Sequence, residues 1–200
     1  GLDVHITHTG SSQVQLQGLR EGRFDIGLQL PDHPVRATLS GCPMAILAAQ
    51  THAPDVALVS QPQLRQIEDL RGQRVAVDGA RSGYALLLRQ LLRQHGLADG
   101  DVSLVEVGDS QQRVQALHSG ELAASFINPP LDKGLVAQGF TRLTSTRSAF
   151  PNYPGPVAAA RREWVDAHPG PTRAFQQAWG NAWQWLLDEA HTEDALALAH

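Results

Sequence analysis

The sequence predicts an α/β fold, and three observations support this class. Short apolar runs of small and β-branched residues, such as 56–60 and 75–77, alternate with leucine-rich segments of helical spacing. Glycine and proline residues separate these segments at short intervals, as expected of turns. Strands that alternate with helices indicate mostly parallel sheets with flanking helices.

The composition limits the possible functions. The 200 residues suffice for one hydrophobic core or two small lobes, and 42% apolar against 18% charged residues indicate a folded chain. A net charge of −4 and a pI near 6.1 provide no basic surface for nucleic acid. Cys42 is the only cysteine, which excludes an internal disulfide and a cysteine-rich metal site. No apolar run is long enough to span a membrane.

The individual elements follow from periodicity and turn residues. Leu2, Val4 and Ile6 alternate with polar residues, which predicts a first strand over 2–7. Residues 29–34 are predicted as a loop fixed by two prolines, and 44–50 as part of a small-residue helix or turn. Further strands are predicted at 24–28, 56–60, 75–77, 102–107, 123–127, 140–143 and 157–160. One helix is predicted to begin after residue 13, one to span 85–95, one to include 114–117 and one to end at 138. Two more are predicted over 162–168 and 172–187.

One strand–turn–helix unit, residues 75–92, is the strongest candidate for a site. Asp78, Gly79 and Gly83 interrupt the strand before the leucine-rich helix begins. The loop places Arg81, Ser82 and several backbone N–H groups at a helix N-terminus, where the helix dipole favours an anion. A purely structural alternative is open, in which Ser82 caps the helix and Gly83 allows tight packing.

An internal repeat indicates two similar halves. Residues 16–28 match 114–126: both contain a helix, a leucine, a glycine and then a strand. Gly22 and Gly120 are predicted to end the two helices in the left-handed conformation. Two such halves would bring their strand-end loops to a shared crevice, where α/β proteins commonly bind ligands.

Several segments together resemble a known family. The order GLDV at 1–4, LREGRFDIG at 19–27 and IEDLRGQRVAV at 67–77 is similar to type II solute-binding proteins of ABC importers. Segments 116–124, 153–163 and 168–175 continue the pattern, so the resemblance covers nearly the whole chain. It is greatest to the branch that contains nitrate, taurine and alkanesulfonate binders and the relatives of thiamine-pyrimidine proteins.

The resemblance implies a type II periplasmic-binding-protein-like fold with two lobes and a ligand cleft between them. Residues 1–58 would form the first part of lobe 1, 59–160 lobe 2, and 161–200 a helical return to lobe 1. Family members usually carry one more strand and helix before the GLDV position, so lobe 1 is expected to be N-terminally incomplete here. Ligand capture in the family occurs by hinge closure, with contacts from both lobes.

The resemblance also assigns ligand-binding residues. Ser11 and Ser82 would offer hydroxyls from opposite lobes, Arg81 would pair with an oxyanion, and Tyr84 would stack on an organic portion. Asp32 would bind an amine or ring N–H, or make an Asx turn in its own loop. The full predicted set is Gly10, Ser11, Ser12, Asp32, His33, Gly79, Arg81, Ser82, Gly83, Tyr84 and Asn128.

The function that the resemblance implies is that of an extracytoplasmic, monomeric binding protein without enzymatic activity. It would capture a small anionic or zwitterionic molecule, such as a sulfonate, nitrate, taurine or pyrimidine, and release it to a membrane permease–ATPase complex. No catalytic residue, metal or cofactor is predicted, since neither a triad, a zinc motif nor a phosphate-binding loop is present. Two alternatives remain: an enzyme of the thiamine-precursor or menaquinone-pathway type on the same fold, and the sensing domain of a transcription regulator.

Overall fold

The chain folds into two compact units. A computed structural model describes residues 2–9 and 12–198. The first unit consists of 1–50 and 156–200, and the second of 51–155. The chain therefore passes between the units twice, after Gln50 and after Gly155.

Helices and strands alternate along most of the chain, which confirms the α/β class. The helices are α1 Ser12–Arg20, α2 Asp32–Leu39, α3 Gly83–Gln94, α4 Ser110–His118, α5 Leu131–Ala137, α6 Thr146–Ala149, α7 Arg162–Ala167, α8 Pro169–Leu187 and α9 Thr192–Leu198. The strands are β1 Ile26–Gln29, β2 Met44–Ala49, β3 Ala57–Ser60, β4 Arg74–Val77, β5 Ser103–Glu106, β6 Ala124–Ile127, β7 Thr141–Ser145 and β8 Val157–Arg161. Short 3-10 turns occur at Ile67–Leu70 and Glu189–His191.

The second unit is built on a five-stranded mixed sheet in the order β5-β4-β6-β3-β7. Strand β4 runs parallel to both neighbours, with Val75 opposite Leu104 and Ala124. Strand β3 pairs antiparallel with β6 and β7. Every residue of β3 and β6 is buried, because apolar clusters cover both faces of the sheet. The carboxyl ends of β4, β5 and β6 consequently lie at one edge of the sheet.

The first unit contains a three-stranded antiparallel sheet in the order β1-β8-β2. The central strand β8 contributes Ala158, Ala159 and Ala160, each fully buried. Helix α1 packs against β1 at Gly27, where a Cβ would lie 2.8 Å from Leu19 Cδ1. A larger residue here would require the Leu19 and Gln15 side chains to shift, so glycine favours the close approach of helix and strand.

The repeat is visible as two copies of a helix–strand unit, α1–β1 and α4–β6. Leu19 and Leu117, at matching positions, are both fully buried. Gly22 has φ +74° and Gly120 has φ +73°, which confirms the predicted left-handed conformation at both helix ends. The two copies lie in different units.

Four details of the sequence analysis are wrong or incomplete. Residues 2–7 form no strand, because they pair with none of the described strands, and Val4 and Ile6 are 62% and 80% exposed. The expected parallel arrangement holds only for β5-β4-β6. Residues 32–34, predicted as part of a loop, form the first turn of α2, because Pro31 and Pro34 stand where the missing N–H groups have no helical partner anyway. Residues 44–49, predicted as part of a helix or turn, form strand β2.

Strands β3 and β8 lie at the predicted lobe boundaries, residues 58 and 160. Strand β3, at the predicted boundary of lobe 1, pairs wholly within the second unit. Strand β8, placed at the end of lobe 2, belongs to the sheet of the first unit. Among the described residues, no helix is both long and apolar enough to cross a membrane.

Candidate functional site

The loop between β4 and α3, predicted as the anion site, makes polar contacts within itself, with α3 and with β5. The Ser82 hydroxyl accepts a hydrogen bond from Ala85 N at 3.0 Å and donates to Asp78 Oδ1 at 2.5 Å. Ala80 N donates to Glu106 Oε1 at 2.9 Å. Ser82 is thus the N-cap of α3, the structural role left open above, and one loop N–H is already paired with a carboxylate. A ligand role for Gly79, Ser82 and Gly83 remains a prediction.

A different cation, Arg113, lies at the carboxyl ends of these strands. Its side chain projects from α4 and is only 5% exposed. Nε donates to Phe126 O at 3.3 Å, Nη1 to Val107 O at 3.3 Å and to Gly108 O, and Nη2 to Ser110 Oγ at 2.9 Å. Carbonyl and hydroxyl dipoles therefore hold the guanidinium in place.

The charge of Arg113 is not neutralised by an ion pair. In the part of the chain that the structure describes, no carboxylate oxygen lies within ion-pair distance of it. Burial lowers the pKa of Arg113, and the negative charges of Asp78 and Asp109 oppose that shift. Arginine stays protonated in proteins, so the group is a buried cation held by neutral acceptors. Such a group favours an anion that approaches it.

A small recess gives access to this cation. It is lined by Val56, Ala76, Val77, Asp78, Tyr84, Arg113, Ser125, Phe126 and Asn128, which belong to the second unit. About 10 Å³ of free space admits a single polar group and not a whole organic molecule. The recess thus combines a cation, a carboxylate, an amide and aromatic carbon.

Two of the predicted ligand residues, Tyr84 and Asn128, line this recess. Asn128 Nδ2 donates to Ser110 Oγ at 3.1 Å, the same hydroxyl that accepts from Arg113. The Tyr84 ring packs against Phe126 with centroids 6.2 Å apart. Burial, and then the nearby Asp78 carboxylate, raise the pKa of Tyr84. Tyr84 is therefore a neutral hydroxyl at physiological pH.

The remaining predicted residues lie elsewhere. Arg81 is exposed on the β4–α3 loop and does not line the recess. In the first unit, Asp32 Oδ2 accepts from Arg36 Nη2 at 2.6 Å, and the buried His33 has Nδ1 3.3 Å from the same Nη2. Ser12 is exposed at the start of α1. Gly10 and Ser11 fall outside the described residues.

The family follows from comparison with known proteins. A family model described as the NMT1-like family matches residues 1–200. The chain belongs to the NMT1-like family. No curated protein sequence matches it.

Solved structures show the fold that this NMT1-like chain shares. The periplasmic aliphatic sulphonate-binding protein SsuA of Escherichia coli has a TM-score of 0.77 at 23% identity, covering 94% of this chain and 64% of that one. The alkanesulfonate-binding protein SsuA of Xanthomonas axonopodis pv. citri bound to MOPS has a TM-score of 0.72 at 22% identity, covering 95% of this chain and 66% of that one. The periplasmic nitrate-binding protein NrtA of Synechocystis PCC 6803 has a TM-score of 0.70 at 20% identity, covering 90% of this chain and 53% of that one.

These comparisons confirm the periplasmic-binding-protein fold expected from the resemblance. All three identities are below 25%, so the likeness concerns the fold. The chain spans less than two thirds of the length of two of these proteins and 66% of the third. What each relative binds is a property of that relative.

Sequence reasoning missed Arg113, although a signal was present. Arg113 precedes the buried Leu117 by four residues, so both lie on the same face of α4. Asp109 and Gln112 form a capping box that fixes where this helix starts. A charged residue on the buried face of a well-defined helix indicates a specific role for the charge. Among the described residues, no group of three or more potential metal ligands is found.

Proposed function

We propose that this NMT1-like chain is the ligand-binding part of a solute-binding protein of an ABC importer. The ligand would be a small organic anion or zwitterion. The observation that carries this proposal is Arg113, a buried guanidinium that lines a recess and has no ion-pair partner among the described residues. The fold shared with sulfonate- and nitrate-binding proteins supports the same function.

The hydrogen bonds of Arg113 leave capacity for a ligand. A guanidinium has five N–H donors, and four contacts are made within the protein, which leaves one N–H on Nη2. An oxyanion such as sulfonate, carboxylate or nitrate supplies the acceptor and the negative charge together. The Asn128 amide and the Tyr84 hydroxyl offer further polar contacts at the same recess. Arg81 remains a proposed contact from the neighbouring loop.

The proposal extends to location and partner. The structural relatives are described as periplasmic, and one as a sulfonate ABC transporter component, which supports an extracytoplasmic location and delivery to a membrane transporter. The recess residues Asp78, Tyr84 and Arg113 provide binding groups without an activated nucleophile, so we propose capture without chemical conversion.

The experiment is a thermal-shift panel on the whole chain with alkanesulfonates, taurine, nitrate, bicarbonate, aromatic carboxylates and pyrimidines. A ligand at a hundred times its Kd stabilises the folded state by about 2.7 kcal/mol, which raises the unfolding midpoint measurably. We expect stabilisation by an anion, and recovery of that ligand unchanged by mass spectrometry. A ligand that is consumed would indicate an enzyme, and the absence of any stabilising anion would contradict the proposal.

A further inference from the structure

The recess of the second unit is lined by two side chains of opposite charge. Arg113 is only 5% exposed, whereas Asp78, the residue that follows β4, is exposed to solvent. Both line the same free space of about 10 Å³. In the described part of the chain, no ion pair joins them. The recess therefore has a cation and a carboxylate in its wall that do not pair with each other.

The hydrogen bonds of these two side chains define which group the recess can accept. Arg113 keeps one N–H on Nη2 after its four contacts within the protein, and this N–H requires an acceptor. Asp78 Oδ1 accepts from the Ser82 hydroxyl at 2.5 Å, and Oδ2 has no hydrogen-bond partner among the described residues. An ionised carboxylate only accepts hydrogen bonds, so Oδ2 requires a donor. A group that fills the recess must therefore both accept and donate.

The size of the recess and the burial of its cation determine which chemical group meets both requirements. About 10 Å³ holds a single polar group, so the donor and the acceptor must belong to the same group. Water screens the charge of the exposed Asp78, whereas the charge of the buried Arg113 is screened much less, so a negative group is favoured. An oxyanion that keeps one O–H, such as a phosphonate monoanion or bicarbonate, combines these properties. Sulfonate and nitrate ions carry acceptors only.

We propose that Asp78 is a specificity-determining residue, through which the recess prefers a protonated oxyanion to a fully ionised one of the same charge. This inference rests on the proposed function and names the class of anion. In the bound state Arg113 donates to one ligand oxygen, and the ligand O–H donates to Asp78. A sulfonate would place an oxygen against the carboxylate with no hydrogen between them, which is unfavourable because two acceptors repel each other.

The test compares ethylphosphonate with ethanesulfonate on the wild-type chain. At about pH 5 the phosphonate keeps one proton, since the second pKa of a phosphate group is about 6. Both probes are then tetrahedral monoanions on the same ethyl group, and they differ in the O–H. Calorimetric Kd values should favour ethylphosphonate about tenfold or more, because one charge-assisted hydrogen bond is gained. This comparison does not depend on the folding of any variant.

Asp78→Asn tests the role of the carboxylate. The asparagine carbonyl can still accept from Ser82, while its NH₂ places a donor where Oδ2 was an acceptor. The Kd for ethylphosphonate should rise and that for ethanesulfonate should fall, so the preference should disappear or invert. Asp109→Asn is the matched control, because the charge of Asp109 also acts on Arg113 but Asp109 does not line the recess, and asparagine is an equally good helix N-cap. This control should change both Kd values by the same factor.

The outcomes separate this inference from the proposed function. Equal affinity for the two probes, a preference for ethanesulfonate, or an unchanged preference in Asp78→Asn would exclude the role of Asp78 and leave the binding function standing. Propionamide, an uncharged probe with a donor and an acceptor, should bind more weakly than ethylphosphonate, and the opposite order would also overturn this inference. If only panel anions without an O–H bind, this inference alone fails. If wild type binds neither probe and no member of the panel, the proposed function fails with it.

Discussion

Arg113→Met is the most direct test of the recess in the second unit. Methionine keeps much of the apolar length of the side chain but removes the charge and all five donors. One charge-assisted hydrogen bond to an anion contributes about 1.5–3 kcal/mol, so the Kd for the ligand should rise roughly 10- to 150-fold. The carbonyls of Val107 and Gly108 also lose a donor, so the free energy of unfolding should fall by about 1–3 kcal/mol.

The assay must separate these two effects. Calorimetric titration with the best anion of the panel gives the Kd, and denaturant unfolding of the same preparation gives the stability. Arg93→Met is the matched control, because Arg93 makes an exposed ion pair with Asp99 at 2.6 Å that contributes little. Arg113→Lys should retain part of the affinity, since it keeps the charge and loses the planar fork. An Arg113→Met protein that folds and binds the anion as tightly as wild type would refute the reasoning.

Three further predictions concern stability and titration. Gly120→Ala should destabilise by about 1–2 kcal/mol because φ is +73°, whereas Gly134→Ala within α5 should stabilise by up to about 1 kcal/mol; equal midpoints would contradict this. Leu19→Ala should cost about 2–5 kcal/mol in chemical unfolding because the side chain is fully buried, and a loss below 1 kcal/mol would indicate a poorly packed first unit. Tyr84 should ionise above its ordinary value of 10.0, as followed by tyrosinate absorbance against Tyr84→Phe. The raised pKa means that its contribution to stability is present below about pH 10 and is lost as the pH rises through that pKa; ionisation at or below 10 would contradict the burial of the ring.

The second unit was the easier half to predict from the sequence. Its strands are short apolar runs bounded by glycine and proline, and β3, β4 and β6 were placed within one or two residues. Glycine also indicated where helices end, since Gly120 adopts a left-handed backbone conformation that other residues rarely adopt. Local chemistry specified these elements, and the structure agrees.

The first unit was harder because pairing and local pattern disagree there. Residues 2–7 have a good strand pattern, yet a strand forms only when another strand pairs with it. Residues 44–49 contain three alanines and form a strand through pairing with β8, more than a hundred residues later. Proline at 31 and 34 indicated a loop, although both positions are compatible with the start of a helix.

The sequence pointed to a region for the candidate site but not to its buried cation. The carboxyl ends of the parallel strands were the predicted region, and the recess that Tyr84 and Asn128 line lies there. Arg81 was predicted because it is next to the glycines in the sequence, and Arg113 was missed. Which arginine is buried depends on how α4 packs on β6, and that contact is not visible in one segment of sequence.

The position of β8 in the centre of its sheet has a consequence for folding. Residues 51–155 are continuous, so the second unit can complete its five-stranded sheet from its own segment as soon as that segment is synthesised. Strands β1 and β2 must wait until Val157–Arg161 emerges to join them, which closes a loop of more than a hundred residues. A nascent chain released before residue 157 would thus hold a finished second unit and an N-terminal segment whose strand edges are open, the kind of surface that chaperones bind.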